Sequence, residues 1–489
     1  MTGPDPEVTV VGAGPVGMTL AALLGGRGRR VVVLDKQPRP VAQPRAVHLD
    51  HQGARILDAA GVMEALAPDT EVMDAYEWRN PAGQVLLRLQ PDGPLGRSGW
   101  PESLMFSQPA LEALLAERLA ALPSVEVRRG RQVSDLAELG GGWVVGCDGA
   151  NSTVRSLLGI ASADAGYSFD WLVVDVVEDQ PRHWIPCNVQ VCDPARPTTA
   201  VSGGPGRRRF EFMRLPGEDP DELASEATAW RLLAAWQLDA GSARLERHAL
   251  YRFDARVAEE WRKGRFLLAG DAAHQMPPFA GQGLCAGLRD ASNLAWKLDM
   301  VLAGAPAALL DTYASERRPQ TRTEIDFSVE LGRVICVSDP DAAAARDRDM
   351  VAAAKRSGPI APPPLPALGP GLLRAGDPAA GTLSVQGQIT AGGRHGHLDA
   401  VIGRGWVLYG RDGDPGRLLG ADAAAWFADL GGRSLDCSDA PAPYPEWFRE
   451  LGAAVILVRP DFAVYGAARH TMGAGDLVTG LRRQLAAMA

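Results

Sequence analysis

The sequence predicts an α/β chain: a Rossmann-like domain carrying an inserted antiparallel sheet, followed by a smaller α/β unit. Three observations predict it. Residues 7–35 read as strand, glycine turn, helix and strand, the βαβ signature of a parallel sheet. From about 165 to 255 short alternating or apolar runs are broken by Pro and Gly, as in antiparallel strands. Beyond a Pro-rich stretch at 358–370, two apolar runs flank an Ala-rich helical segment.

In order along the chain, EVTVV (7–11) is a buried strand stopped by Gly12-Ala13-Gly14, with a helix from Pro15 to Leu24 and a strand at VVVLD (31–35). Helical patterns follow at 51–66 and 110–122, then strands at 124–130 and 143–149. WLVVDVV (171–177), CNVQVCD (187–193) and RRRFEFMRL (207–215) build the inserted sheet. The α/β character returns at FLLAGD (266–271). In the helix after it, Leu284, Leu288, Ala291, Leu294, Ala295, Leu298 and Val301 are spaced by three and four. WVLYG (406–410) and AVILVRP (454–460) read as strands of the last unit, with helices at 421–430 and 475–488. The domains are therefore expected at 1–75, 105–165 and 255–335 for the nucleotide domain and at 76–104 and 166–254 for the inserted sheet. A helical and Pro-rich linker at 336–370 then leads to a separable unit at 371–489, whose deletion should leave the first domain intact.

Composition narrows the function. The 489 residues carry 50 Lys+Arg against 59 Asp+Glu, a net charge of −9, so a nucleic-acid partner, which needs a basic face, is set aside. The six cysteines form no CxxC and no Cys/His pattern with zinc spacing, so reduced thiols and no metal are expected. MTGPDPE lacks the features of a signal peptide, and no apolar run is long enough to span a membrane. A cytoplasmic enzyme with no membrane partner is expected, and a homodimer is left open.

Three motifs carry chemistry. Gly12-x-Gly14-x-x-Gly17 sits between strand and helix, with Asp35 at the end of the next strand. The glycines permit a tight turn and close approach of a pyrophosphate to a helix N-terminus, and Asp35 suits a ribose hydroxyl. On these residues alone NAD and FAD are not separated. In GDAAHQMPPFAGQG (270–283), Asp271 follows a strand and suits a ribityl hydroxyl, while Gly281 and Gly283 free backbone N–H groups. His274 reads as a residue that structures this turn. The third motif, CDGANSTVR (147–155), reads as strand, Asp-Gly turn and helix cap.

In this order and spacing the three motifs resemble the single-component flavoprotein aromatic hydroxylases, the para-hydroxybenzoate hydroxylase superfamily. The stretches CDGANSTVR, DPARPTT, SGGPGRRRFEFM and LAGDAAHQMPPFAGQGLCAGLRDASNLAWKLD are most similar to the 3-(3-hydroxyphenyl)propionate hydroxylase branch. The C-terminal unit resembles the thioredoxin-like domain of the phenol-hydroxylase relatives, and the missing CxxC agrees with a redox-inactive version. The resemblance implies FAD, with NADPH or NADH as co-substrate. It assigns Gly12, Gly14, Gly17, Asp35, Lys36, Arg45, Gln108, Asp148, Arg155, Gly270, Asp271, Pro278, Gly281, Gly283 and Leu284 to the cofactor. It also gives Pro278 a catalytic place, its carbonyl facing the reacting carbon. One departure stands out: only GRQVSDLAELGGGW (130–143) remains where the family has a β-hairpin or three-stranded excursion.

The implied reaction is hydroxylation of a phenol ortho to its hydroxyl through a flavin C4a-hydroperoxide, consuming NAD(P)H and O₂. Hydroxylation, epoxidation or Baeyer–Villiger insertion on a large polycyclic or polyketide substrate is the alternative on the same fold. His48 and Tyr251 are candidates for the phenol base by residue type only. Alternation along RRRFEFMRL puts Arg208, Phe210 and Phe212 on one face, a candidate ring-binding wall, and Arg207, Arg209 and Glu211 on the other. Trp171 and Trp184 read as core.

Overall fold

Short connections between alternating strands and helices impose parallel pairing, and the first sheet follows that rule. The computed structural model describes residues 5–40, 45–391 and 393–489; residues 1–4 of MTGPDPE, and Gln43 and Pro44 of the segment before Arg45, lie outside them. Val8–Val11 runs parallel between Val31–Asp35 and Trp143–Gly146. Val125–Arg129 extends one side and Phe266–Leu268 the other, also parallel, with Arg262–Lys263 as an antiparallel edge. Val8, Val10, Val33, Val144 and Val145 have no exposed surface, as strands covered on both faces require. The helix Pro15–Gly25 returns over this sheet and packs on Gly283–Leu302 and Gln108–Ala120.

The second sheet has eight strands. Its spine is Ser162–Glu178, paired antiparallel to Arg207–Met213 on one side and Ala243–Ala258 on the other. Thr198–Ser202 and Asn188–Val191 continue it as hairpin partners. The inserted sheet is antiparallel as expected, apart from one junction where Asn188–Val191 pairs parallel with Tyr76–Arg79. That partner comes from a distant excursion of the chain, so no hairpin turn sets its direction. A three-stranded sheet of His48–Asp50, Ser103–Phe106 and Thr70–Val72 joins the two domains.

In the C-terminal unit, Val407–Gly410 lies parallel to Arg433–Asp436 and antiparallel to Val455–Val458, which pairs antiparallel with Val464–Ala468. With Ala421–Asp429, Tyr444–Leu451 and Ala474–Ala486 as helices, this is a thioredoxin-like arrangement.

The unit packs directly on the rest of the chain and does not hang from a free Pro-rich linker. Ile360 donates its N–H to Arg88 O at 2.9 Å and accepts from Gln90 N at 3.0 Å, so the segment is docked on the inserted domain. Trp296 and Leu309 of the nucleotide domain share one apolar core with Leu372, Trp406, Leu408, Tyr465 and Leu477. Beside it, fully buried Glu316 accepts from Lys297 Nζ at 2.7 Å, Arg459 Nη1 and Nη2 at 2.9 and 2.7 Å, Asn293 Nδ2 at 2.9 Å and Leu372 N at 2.9 Å. A bidentate pair between Arg55 and Asp399, at 2.7 and 2.9 Å, forms a second buried joint. Proline content predicts an extended backbone, but hydrogen bonds from Leu368 N to Gly381 O at 3.0 Å and from Gly369 N to Glu316 O at 2.8 Å join those at Ile360 and dock it.

Candidate active site

The carboxyl ends of four adjacent parallel strands converge, the position at which open α/β sheets bind ligands. Val8–Val11 ends at Gly12, Val31–Asp35 at Asp35, Trp143–Gly146 at Cys147-Asp148, and Phe266–Leu268 just before Asp271. Each sequence motif therefore sits on its own strand end of one sheet, which is why they share a site. Gly12 has φ +110°, and a Cβ there would lie 2.3 Å from the Cys147 carbonyl oxygen. A Cβ on Gly17 would lie 2.1 Å from Gly12 O, so this glycine sets the approach of helix to turn. Gly14 differs: a Cβ would meet nothing within 4 Å, because the backbone there faces the cavity.

That cavity is about 1640 Å³, above the roughly 300–1,000 Å³ of ordinary small-molecule sites. It runs from the glycine turn past Asp271 to the inserted sheet, and is lined by Gly12, Gly14, Asp35, Lys36, Arg45, Gln108, Asp148, Asp271, Pro278, Gly281, Gly283 and Leu284. Asp35 accepts from Ala13 N and Gln37 N, each at 2.7 Å, and so orients the glycine turn. Gln108 Oε1 accepts from Arg45 N at 3.1 Å and Ala46 N at 2.6 Å, while its amide donates to Glu112 at 2.7 Å. Asp271 has no hydrogen-bond donor among the described residues; its side chain opens into the cavity, and the protein around it pushes its carboxyl above 3.8 against the opposing pull of His274 and Arg45. The open cradle at Gly14, the unpartnered acid of Asp271 and the volume of the cavity fit a dinucleotide. Gly14 and Asp35 would hold its adenosine and pyrophosphate end, and Asp271 its ribityl hydroxyls.

Several expected site residues hold the site without facing it. Gly17 packs the helix, and Gly270, at φ +60°, gives its N–H to Asp290 Oδ2 at 3.0 Å. Arg155 does not reach the cavity; its guanidinium donates to Ala272 O at 2.9 Å and Ala150 O at 2.8 Å, tying two motifs together. His274 is buried against Asp290 at 2.6 Å, and Asp290 also takes Arg317 Nε at 2.9 Å, so this histidine holds the turn. Burial alone would raise the Asp290 carboxyl, but His274 and Arg317 outweigh it and hold the group below 3.8. Pro278 borders the cavity, with its carbonyl accepting from Gly281 N at 2.8 Å.

The substrate wall is corrected. Arg208, Phe210 and Phe212 lie on the opposite sheet face, where Phe210 and Phe212 pack with Leu223, Ala229 and Leu233 under helices. Arg208 donates to Cys187 O at 2.6 Å and stacks on Trp184. The alternation holds in the structure, but the helix Glu226–Leu233 covers the aromatic face and leaves Arg209 and Glu211 to the cavity. Arg209 reaches Asp175 at 2.8 and 3.3 Å and Arg45 O at 2.5 Å; Asp175 also takes Arg247 at 2.6 Å. Trp171 is buried in the main core and Trp184 borders the helix-covered one. Of the base candidates, Tyr251 and His48 both border the cavity. Tyr251 OH accepts from Arg247 at 3.1 Å. His48 places Nδ1 3.0 Å from Gly281 O and Nε2 2.7 Å from Ser103 Oγ. A carbonyl only accepts, so Nδ1 carries the proton and Nε2 accepts; burial lowers the ring below 6.5 and favours this neutral form.

The FAD binding domain family matches residues 5–328, and the HcaD C-terminal domain family matches 381–484. This chain belongs to the FAD binding domain family. It is an FAD-binding flavoprotein monooxygenase. It is 38% identical to a probable NADH-specific resorcinol 4-hydroxylase of Rhodococcus jostii (strain RHA1), over 98% of this chain and 94% of the relative. It is 34% identical to a 3-(3-hydroxy-phenyl)propionate/3-hydroxycinnamic acid hydroxylase of Mycobacterium sp. (strain JLS), over 95% and 89%. The fold matches the flavin-dependent monooxygenase PieE, solved with FAD and substrate, at TM-score 0.79 and 23% identity, covering 99% and 100% of the chains. Aklavinone-11 hydroxylase, solved with FAD and aklavinone, matches at TM-score 0.77 and 24% identity, covering 99% of each. Among the described residues no helix is long and apolar enough to cross a membrane.

Proposed function

We propose that this flavoprotein hydroxylates a small phenolic ring ortho to a hydroxyl, consuming NADH or NADPH and O₂. The carrying observation is the single cavity that joins the dinucleotide end to a chamber on the inserted sheet. Bound FAD would supply the hydride acceptance and oxygen activation that this reaction needs. The chain's own residues then bind, shield and deprotonate the ring. Met73, Tyr76, Met105, Val201, Phe253, Phe279 and Leu331 border the chamber with largely apolar surface, which excludes water from the oxygen-transfer step. Ser103 borders the cavity and its hydroxyl donates to His48 Nε2, so a phenol hydrogen-bonded to Ser103 has a proton path to a neutral imidazole. The Pro-rich segment at 361–366, with Thr382, Leu383 and Glu450, forms another part of the wall, which makes the C-terminal unit part of the enclosure. This reading includes a cytoplasmic location, in keeping with six unpaired cysteines.

Hydroxylation of polycyclic substrates is the second reading, favoured only by the cavity's size. The deciding experiment is oxidation of NADH and NADPH by FAD-loaded protein, with a panel from one-ring to polycyclic phenols and product mass. Faster oxidation with a gain of one oxygen for a one-ring phenol is expected. Turnover of polycyclic phenols alone would replace this reading with the second.

A further inference from the structure

Glu211 is a carboxylate that neither the fold nor the cofactor site uses. It lies on Arg207–Met213, two residues from Arg209 and opposite Val173 and Thr199, on the face turned to the cavity. It is 6% exposed, yet no donor among the described residues hydrogen-bonds its side chain. Burial pushes its carboxyl above 4.5, with Asp175 adding to the shift and Arg209 and Arg247 opposing it. Nearby donors are committed elsewhere: Thr199 Oγ to Gln190 at 2.7 Å, and Tyr76 OH to the same Gln190 oxygen at 3.2 Å. Arg209 and Arg247, the two cations that act on it, are both engaged by Asp175, and Arg209 also donates to Arg45 O. A buried acid without a partner is costly unless a ligand supplies one.

We propose that Glu211 selects the substrate by hydrogen-bonding a second ring hydroxyl, so that the enzyme prefers a small uncharged diphenol over a phenol bearing a carboxylate. The inference rests on the phenol-hydroxylase reading and deepens it. A hydroxyl satisfies the carboxyl without bringing another charge into the chamber. A substrate carboxylate would sit beside like charge with the neighbouring arginine already bound. The two relatives differ on this point, one being named for resorcinol and the other for a phenylpropionate. The side chain at 211 supplies a physical reason for this chain to side with the first.

The test measures kcat and KM, with product mass, for 1,3-dihydroxybenzene, phenol and 3-(3-hydroxyphenyl)propionate on FAD-loaded wild type, E211Q and E211L. Wild type is expected to favour 1,3-dihydroxybenzene over the carboxylated phenol by about 100-fold or more in kcat/KM. E211L should lose most of that advantage, chiefly through KM, change phenol turnover by less than about fivefold, and keep its flavin content. E211Q, which retains an acceptor without the charge, should keep the diphenol and gain activity on the carboxylate. A wild-type preference for the carboxylated phenol, or the same substrate ratio in all three proteins, overturns the role of Glu211. If no phenol gains oxygen in wild type, the hydroxylase reading itself falls, a separate outcome.

Discussion

Glu316→Ala tests whether the C-terminal unit is part of the folding core of the flavin domain. The substitution removes the acceptor shared by Asn293, Lys297, Arg459 and the Leu372 amide, all buried. Arg459 keeps Asp461, at 2.6 Å, but Lys297 is left without a carboxylate. Removing one partner of a buried ion pair costs about 3–5 kcal/mol, because the remaining charge has lost its water without compensation. Against a total stability of about 5–15 kcal/mol this is a large fraction. The assay is urea unfolding followed by tryptophan fluorescence and by release of bound flavin. Both signals should move together to lower urea, since Trp296 and Trp406 stack edge-to-face across the joint at 5.6 Å. A loss below about 1 kcal/mol, or a tryptophan transition that shifts while flavin release does not, would refute the shared core.

Deleting 371–489 should yield insoluble or flavin-free protein, because Trp296 and Leu309 lose their cover; soluble, yellow protein would contradict this. Asp271→Ala should weaken FAD binding by about 10- to 100-fold, the worth of a hydrogen bond to a charged group, read as the flavin-to-protein ratio after desalting. Gly17→Ala should abolish flavin binding or folding, since its Cβ has no room at 2.1 Å from Gly12 O; absorbance at the flavin band checks it. Asp290 has a depressed folded pKa, so its contribution is complete well above 3.8 and is lost as pH falls through that value toward its folded one. Flavin fluorescence should therefore rise steeply below about pH 4 in wild type, and less steeply in Asp290→Asn, where this group no longer titrates.

The cofactor half of the site was legible because its determinants are local. A glycine turn, a strand ending in Asp35 and the Asp271 turn each need particular residues at fixed offsets, and pairing order then brings the strand ends together. The long helix Gly283–Leu302 was legible for the same reason, since periodicity over 20 residues outweighs local noise. The short strands His48–Asp50 and Ser103–Phe106 lack the βαβ context that marks those of the first sheet, and their pairing is what sets Ser103 beside His48.

Other features were decided only in three dimensions. Alternation along 207–215 separates two faces, but which one meets the cavity depends on the helix Glu226–Leu233, which covers Phe210 and Phe212 and leaves Glu211 to the chamber. Arg155 stands in a motif and reads as a ligand, yet two carbonyls brought close by the fold occupy its guanidinium. The Pro-rich stretch has the composition of a linker and becomes a wall of the site. Short-range patterns report backbone geometry and the apolar period of each element. Which polar group remains unsatisfied, and so is available to a substrate, emerges only once distant segments have taken their partners.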